Sequence, residues 1–276
     1  MLFSVLIAVY KNEKPQYFRE ALKSIWDDQT VKPSEIVLVK DGPLTPELEK
    51  VIESYMDSSP IKVVSLKENQ GLGIALCEGL KHCSYDLVAR MDSDDISKPD
   101  RFEKQIQVFR KHPEYDIVGA WVDEFECRTT NVVSIRKLPE IQEDIYSFAK
   151  KRCPLNHPTV MFKKQSVLDA DGYQPFPLHA AMVEDYFLWV RMLMQGCHFY
   201  NIQESLLFFR TSKKMYIRRG GWKYIKVELK LQRKFRQMGF INRSTYVQNV
   251  MIRFITRSLP NSIRFRVYKK LLHQKP

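Results

Sequence analysis

No stretch of this chain approaches the roughly 18 consecutive apolar residues needed to span a bilayer. Its apolar runs are short, Val5-Leu6-Ile7-Ala8-Val9 among them. The opening Met1-Leu2-Phe3-Ser4-Val5 has no basic segment, so a secretory leader is not expected. Glycine is scarce, 10 in 276 residues. None stands in Tyr10-Lys11-Asn12-Glu13, after the first strand-like run, where a dinucleotide-binding Gly-x-Gly-x-x-Gly would begin. Gly71-Leu72-Gly73 comes later and lacks the third glycine at the required spacing, so a dinucleotide-dependent oxidoreductase is excluded. The five cysteines (Cys77, Cys83, Cys127, Cys153 and Cys197) are odd in number and form no Cys-x-x-Cys pair. Free thiols in a reducing cytosol are expected, not disulfides or a zinc site. Acids are nearly absent from the last quarter: residues 210–276 carry 19 Lys/Arg and one acid, Glu228, whereas residues 1–209 carry 25 Lys/Arg and 31 Asp/Glu.

What is present is an ordinary globular share of apolar residues, 44%, and a net charge of +12 concentrated in the tail. That asymmetry points either to an anionic partner (a membrane surface, a nucleic acid or a phosphorylated substrate) or to a basic solvated helical surface. The first half alternates two periodicities. Phe3–Val9, Glu35–Val39, Ile61–Leu66 and Asp86–Met91 read as short apolar strands. Between them, Pro15–Trp26, Pro46–Tyr55 and Gly71–Lys81 have helical spacing, and Pro99–Lys111 follows as another amphipathic helix. Thr45-Pro46-Glu47 supplies a cap, a proline at the first helical position and an acid in the first turn. Strands separated by helices imply an α/β fold with a mostly parallel sheet, whose ligands bind beyond the carboxyl ends of the strands. Tyr10, Asp41 and Asp92–Asp95 each stand just past such an end. In the second half, Asp116–Phe125 and Asn156–Phe162 read as strands and Glu184–Met194 as a helix. Basic helices follow from about Arg210, interrupted near Gly239 and at Pro260.

Met91-Asp92-Ser93-Asp94-Asp95 crowds three carboxylates into four residues. Such groups repel unless a cation or donor groups satisfy them. Mg²⁺ or Mn²⁺ commonly bridges one or two carboxylates to substrate phosphates. Transfer from a nucleotide-sugar calls for this, since its diphosphate leaving group gathers negative charge in the transition state. Alone, an Asp-x-Asp triplet is a common surface turn. Here it follows an apolar strand and precedes the helix start Pro99-Asp100-Arg101-Phe102.

In order, the chain carries Ser4–Asn12, Val37-Leu38-Val39-Lys40-Asp41-Gly42, Asn69-Gln70-Gly71-Leu72-Gly73, Met91–Asp95 with Pro99-Asp100-Arg101, Cys153–Val160 and Val183-Glu184-Asp185-Tyr186. This set resembles family 2 glycosyltransferases over roughly residues 3–210. The stretch Asn156-His157-Pro158-Thr159 is similar to the amylovoran-biosynthesis branch, whose members build bacterial surface polysaccharides. The resemblance implies a GT-A fold with a catalytic domain at 1–210, divided into a nucleotide-sugar half (1–115) and an acceptor half (116–210). A basic amphipathic helical tail spans 211–276.

It implies roles as well. Tyr10 would pack on the nucleotide base, and Asp41 would accept from the uracil N–H. Lys40 replaces the first of two acids that many relatives carry there. Asp92 would contact the ribose or donor sugar, and Asp94 would ligate Mn²⁺ or Mg²⁺. Asp95 either joins them or caps the following turn. Cys77-Glu78 departs from the family pattern and leaves any donor contact there open. Glu184-Asp185 resembles the acceptor-side acidic pair, with Asp185 as general base. A base is required because a sugar hydroxyl is a poor nucleophile and sheds its proton as it attacks C1. His157 either reaches the phosphates or metal or is structural. Arg218-Arg219-Gly220-Gly221-Trp222 is either an ordinary basic loop or one that closes over the diphosphate.

In the tail, Val247, Val250, Met251, Phe254 and Ile255 share one helical face, flanked by basic residues. This suits a helix lying on an anionic membrane, or one docked on the catalytic domain. The expectation is an inverting, metal-dependent hexosyltransferase, cytoplasmic and peripheral on the inner membrane. It would move galactose from a UDP-sugar to a lipid-diphosphate-linked saccharide during O-antigen or capsule synthesis, forming a β-linkage. UDP-glucose or a UDP-N-acetylhexosamine is the alternative donor. Nucleic-acid binding through the tail is the alternative of another class, but no reading motif accompanies the cations, and no nucleic-acid partner is expected.

Overall fold

A computed structural model describes residues 1–174, 183–212 and 222–258. Arg218, Arg219 and the basic run from Arg264 to Lys270 lie outside the described residues, as does the expected break at Pro260. The expected α/β alternation is observed. Strands β1 (Phe3–Val9), β2 (Glu35–Lys40), β3 (Ile61–Ser65) and β4 (Leu87–Asp92) are separated by helices α1 (Pro15–Ile25), α2 (Pro46–Met56) and α3 (Leu72–His82). Thr45 caps α2 through its side-chain oxygen, which accepts from the Leu48 N–H at 3.4 Å, with Pro46 following. After β4 come β5 (Ile96–Ser97), α4 (Arg101–Lys111), β6 (Ile117–Phe125), β7 (Val132–Arg136), α5 (Gln142–Ala149), β8 (Met161–Lys163), α6 (Lys164–Asp169), α7 (Glu184–Met194) and β9 (Phe199–Arg210). The tail holds α8 (Trp222–Gln237) and α9 (Arg243–Ser258), with Gly239 at φ +81° in the turn between them.

The nine-stranded sheet runs β3-β2-β1-β4-β8-β6-β9-β5, with β7 on β6. Strands β1 to β4 pair in parallel, whereas β8 is antiparallel to both neighbours. Alternation along β1 divides the core between the two faces. Phe3, Val5, Ile7 and Val9 pack with Phe18, Leu22, Leu48 and Phe102 of α1, α2 and α4. Leu6 faces α3 and the layer of α5, α7 and α8. Helix α3 lies close on the sheet because residue 79 is glycine: a Cβ there would meet Leu6 Cδ1 and Val39 Cγ2 at 2.5 Å.

Two expectations need correction. Asn156–Phe162 is not one strand: His157–Thr159 forms a 3₁₀ turn, and only Met161–Lys163 is extended. Pro158 has no N–H for a ladder, and the Thr159 hydroxyl bonds back to the Asn156 carbonyl at 2.7 Å. The tail is also not uniform. Helix α8 buries Val227, Leu231 and Phe235 in the same core as Trp189 and Phe199. Helix α9 leaves Met251, Ile252, Phe254 and Ile255 exposed.

Candidate active site

The sheet register sets three functional positions along one edge. Val9 pairs with Lys40 and Ala8 with Asp92, so Tyr10, Asp41 and the acidic cluster leave adjacent parallel strands at the same level. Tyr10 is 38% exposed, with its ring free to meet a ligand. Asp41 is buried and organises the neighbouring loop. Its Oδ1 accepts from the Gln70 N–H at 2.7 Å, and its Oδ2 accepts from the Gly71 N–H at 3.0 Å and Asn69 Nδ2 at 2.8 Å. A carboxylate has about four acceptor positions, so one remains for a ligand. Gly42 enables this closure: at φ +83° it takes a conformation that side chains resist, and a Cβ would lie 2.6 Å from the Asn69 nitrogen.

Asp92, Asp94 and Asp95 each offer a carboxylate oxygen, and these ligand atoms lie within 4.8 Å of one another. Different partners hold each residue. Asp92 pairs with Arg90, which is fully buried in β4. The Asp94 carbonyl accepts from Arg210 Nε at 2.8 Å. Asp95 Oδ1 accepts from the Arg210 backbone N–H at 2.8 Å, which ties the cluster to the end of β9. Asp95 Oδ2 is buried and has no partner among the described residues. Burial, with Asp92 and Glu13 nearby, pushes the Asp94 carboxyl up to about 7; burial and its acidic neighbours also raise Asp95 well above the usual range. Hard oxygen donors, an orphaned carboxylate oxygen and raised proton affinities together fit a divalent cation.

Within reach of the same Arg90 charge, α7 opens with Glu184-Asp185. Glu184 is buried, its Oε2 accepts from the Val183 N–H at 2.8 Å, and burial beside Asp185 lifts its carboxyl to about 7. Gly73 of α3 lies beside it, and a Cβ there would make an ordinary contact with the Glu184 side chain at 3.5 Å. Asp185 Oδ1 accepts from the Tyr186 N–H at 2.7 Å, and Cys153 Sγ lies 3.7 Å from its Oδ2. His157 packs among aromatic residues. Its Nε2 is 2.9 Å from the Tyr173 hydroxyl and its ring packs on Trp189, while burial and the Arg90 charge hold it neutral, well below the usual imidazole range.

Sequence reasoning missed three participants. Arg90 stands between the two sides: its charge acts on Asp92, Asp94 and Asp95 and also on Glu184 and His157. The signal was available, because an arginine inside an otherwise apolar strand is costly unless paired. Glu13 accepts from the Ser93 hydroxyl at 2.9 Å and adds a carboxylate beside Asp94. Arg210 is sandwiched between the Tyr17 and Phe125 rings, at 3.8 and 4.6 Å from their centroids.

A parallel sheet with carboxylates at its strand ends, continued through the antiparallel β8 into the parallel pair β6 and β9, is the architecture expected of a GT-A glycosyltransferase, and comparison with known proteins agrees. The sequence profile of Glycosyl transferase family 2 matches residues 4–172, and the chain belongs to that family. It is 39% identical over 272 residues to an Escherichia coli UDP-Gal:alpha-D-GlcNAc-diphosphoundecaprenol beta-1,3-galactosyltransferase, covering 99% of this chain and 97% of that protein. It is also 39% identical to the amylovoran biosynthesis glycosyltransferase AmsE of Erwinia amylovora, covering 98% of each. Among solved structures, S. aureus TarS superposes with a TM-score of 0.66 at 20% identity, over 98% of this chain and 46% of that one. A mannosyltransferase from Pyrobaculum calidifontis, solved with GDP-Man and Mn²⁺, superposes with a TM-score of 0.61 at 14% identity, over 96% of this chain and 72% of that one.

Proposed function

We propose that the chain is an inverting galactosyltransferase that uses UDP-galactose and a lipid-diphosphate-linked N-acetylhexosamine, forming a β-linkage in bacterial surface polysaccharide synthesis. The observation that carries the reading is the convergence of the Asp92, Asp94 and Asp95 oxygens, with buried Arg90 acting both on that cluster and on Glu184. The choice of substrates rests on similarity to the E. coli galactosyltransferase. Tyr10 stacks on the uracil, and the remaining acceptor position of Asp41 takes the ring N–H. Asp92, aimed by Arg90, binds the ribose or the donor sugar. Asp94, with Asp95 beside it, would hold Mn²⁺ or Mg²⁺, which would supply positive charge to offset that of the diphosphate leaving group. Asp185 takes the proton from the acceptor hydroxyl as its oxygen bonds to C1 and the C1–O bond to UDP breaks. Attack opposite the leaving group turns an α-linked donor into a β-linked product. Arg218 and Arg219 are assigned to closure over the diphosphate.

No helix among the described residues is long and apolar enough to cross a membrane. The exposed Met251, Ile252, Phe254 and Ile255 of α9 suit contact with the cytoplasmic face of an anionic membrane. Because α8 contributes to the core, substitution on α9 is the appropriate test rather than truncation. Met251→Ser/Ile255→Ser is expected to lose flotation with anionic liposomes, and undiminished flotation would refute the contact. The function itself is tested by screening UDP-sugars against a synthetic lipid-diphosphate N-acetylhexosamine, with the product solved by NMR. A β-galactosyl product is expected. Faster transfer from UDP-glucose or a UDP-N-acetylhexosamine would change the sugar assignment, and no transfer from any UDP-hexose would overturn the reading.

A further inference from the structure

Two stretches distant in sequence meet beside Asp185. Helix α5 ends at Ala149 and continues as Lys150-Lys151-Arg152-Cys153. This turn is tied to the start of α7 twice: the Tyr186 hydroxyl donates to the Ala149 carbonyl at 2.5 Å, and Cys153 Sγ lies 3.7 Å from Asp185 Oδ2. Helix α9 grips it from the other side. Asn249 Nδ2 donates to the Lys150 carbonyl at 2.8 Å, and Arg253 Nη2 donates to the Lys151 carbonyl at 2.7 Å. These bonds use main-chain carbonyls; Lys151 and Arg152 are exposed residues, and the Arg152 guanidinium lies over the Phe148 ring, 5.5 Å from its centroid.

Basic residues gather on this surface. Lys150, Lys151, Arg152 and Arg253 stand beside the carboxylates of Asp185, which Cys153 contacts, Asp144, which lines a shallow hollow with Lys151, and Glu228, 3.8 Å from Arg253. Consecutive Cα atoms are about 3.8 Å apart, so the Lys151 backbone lies within roughly 8 Å of Cys153, itself in contact with Asp185. On the far side, α9 exposes Met251, Ile252, Phe254 and Ile255. Acid pair, basic turn and apolar helix face therefore follow one another across the surface. A lipid-linked acceptor has the matching order of sugar hydroxyl, diphosphate and hydrocarbon.

We propose that the Lys150–Arg152 turn binds the diphosphate of the lipid-linked acceptor, with Asn249 and Arg253 as positioning residues that fix the turn between Asp185 and α9. This rests on the reading of the chain as a transferase acting on a lipid diphosphate. The planar Arg152 fork and the Lys151 ammonium supply charge-assisted hydrogen bonds to phosphate oxygens. None of these residues belongs to the donor site.

The test is calorimetric binding of geranyl diphosphate, a short lipid diphosphate without sugar, to the full chain saturated with UDP and Mn²⁺. The wild type is expected to bind it about tenfold tighter than geranyl monophosphate. Lys151→Ala/Arg152→Ala should lose about tenfold in diphosphate affinity and most of that preference, with UDP affinity unchanged as the sign of an intact fold. Unchanged diphosphate affinity in the double variant would overturn the proposal, as would equal weakening of both phosphates. Loss of phosphatidylglycerol vesicle binding with geranyl diphosphate affinity intact would assign the turn to the membrane surface and overturn it too. Because the readout needs no turnover, a chain that transfers no hexose yet binds through this turn would refute the galactosyltransferase reading alone.

Discussion

Asp94 and Asp185 are held by different means. At the strand ends a carboxylate cluster gathers, with the cations Arg90 and Arg210 fixed against it. At the start of α7 the Glu184-Asp185 pair accepts from the Val183 and Tyr186 N–H groups. The cluster is crowded with like charge and gains from a cation; Glu184 is desolvated and gains from a proton. On the proposed function, that contrast suits the first to a diphosphate and the second to a hydroxyl.

The sharpest way to break the contrast is to remove one carboxylate at a time. Asp185→Asn is expected to lower kcat by about 10³-fold while leaving Mn²⁺-dependent UDP affinity intact, read by single-turnover and binding assays. Asp94→Ala should lower transfer by roughly 10²–10³-fold and abolish the rise in melting temperature that Mn²⁺ gives the wild type. Gly79→Ala probes the scaffold instead. A methyl pressed against Leu6 and Val39 should cost about 1–3 kcal/mol in denaturant melts and disturb the donor strands first.

The smallest effect is on pH dependence. With the Glu184 carboxyl at about 7 in the fold and near 4.5 when unfolded, the folded chain holds a proton that the unfolded chain releases between those values. Stability of the metal-free protein should therefore fall as pH rises from about 4.5 to 7, and Glu184→Gln should flatten that slope by on the order of 1–2 kcal/mol. An unchanged slope would remove Glu184 from the desolvated pair.

The same two halves differ in how plainly they could be read. Parallel strands and their helices are local, so the apolar runs from Phe3–Val9 to Asp86–Met91, the helical spacing between them and the cap at Thr45 were enough to place β1–β4 and α1–α3. Register did the rest, bringing Tyr10, Asp41 and Asp92 to one edge. Strand β9 was missed because its pairing with β6 shifts register around Trp121, which breaks the two-residue period. Asn201 hid it further: this polar residue is buried because its Nδ2 donates to the Pro139 and Pro154 carbonyls, at 2.7 and 3.1 Å. Pro158 turned an apparent strand into a 3₁₀ turn. The Arg210–Asp95 and Cys153–Asp185 contacts join residues 115 and 32 positions apart, which no local pattern reveals.

The most direct test is UDP affinity with and without Mn²⁺, measured in the wild type, Asp94→Ala and Asp185→Ala. Mn²⁺ should tighten UDP binding by about tenfold or more in the wild type and Asp185→Ala, and leave Asp94→Ala unchanged. Equal tightening in Asp94→Ala, or its loss in Asp185→Ala, would contradict the division of the cleft into a cation-holding donor wall and a proton-accepting acceptor wall.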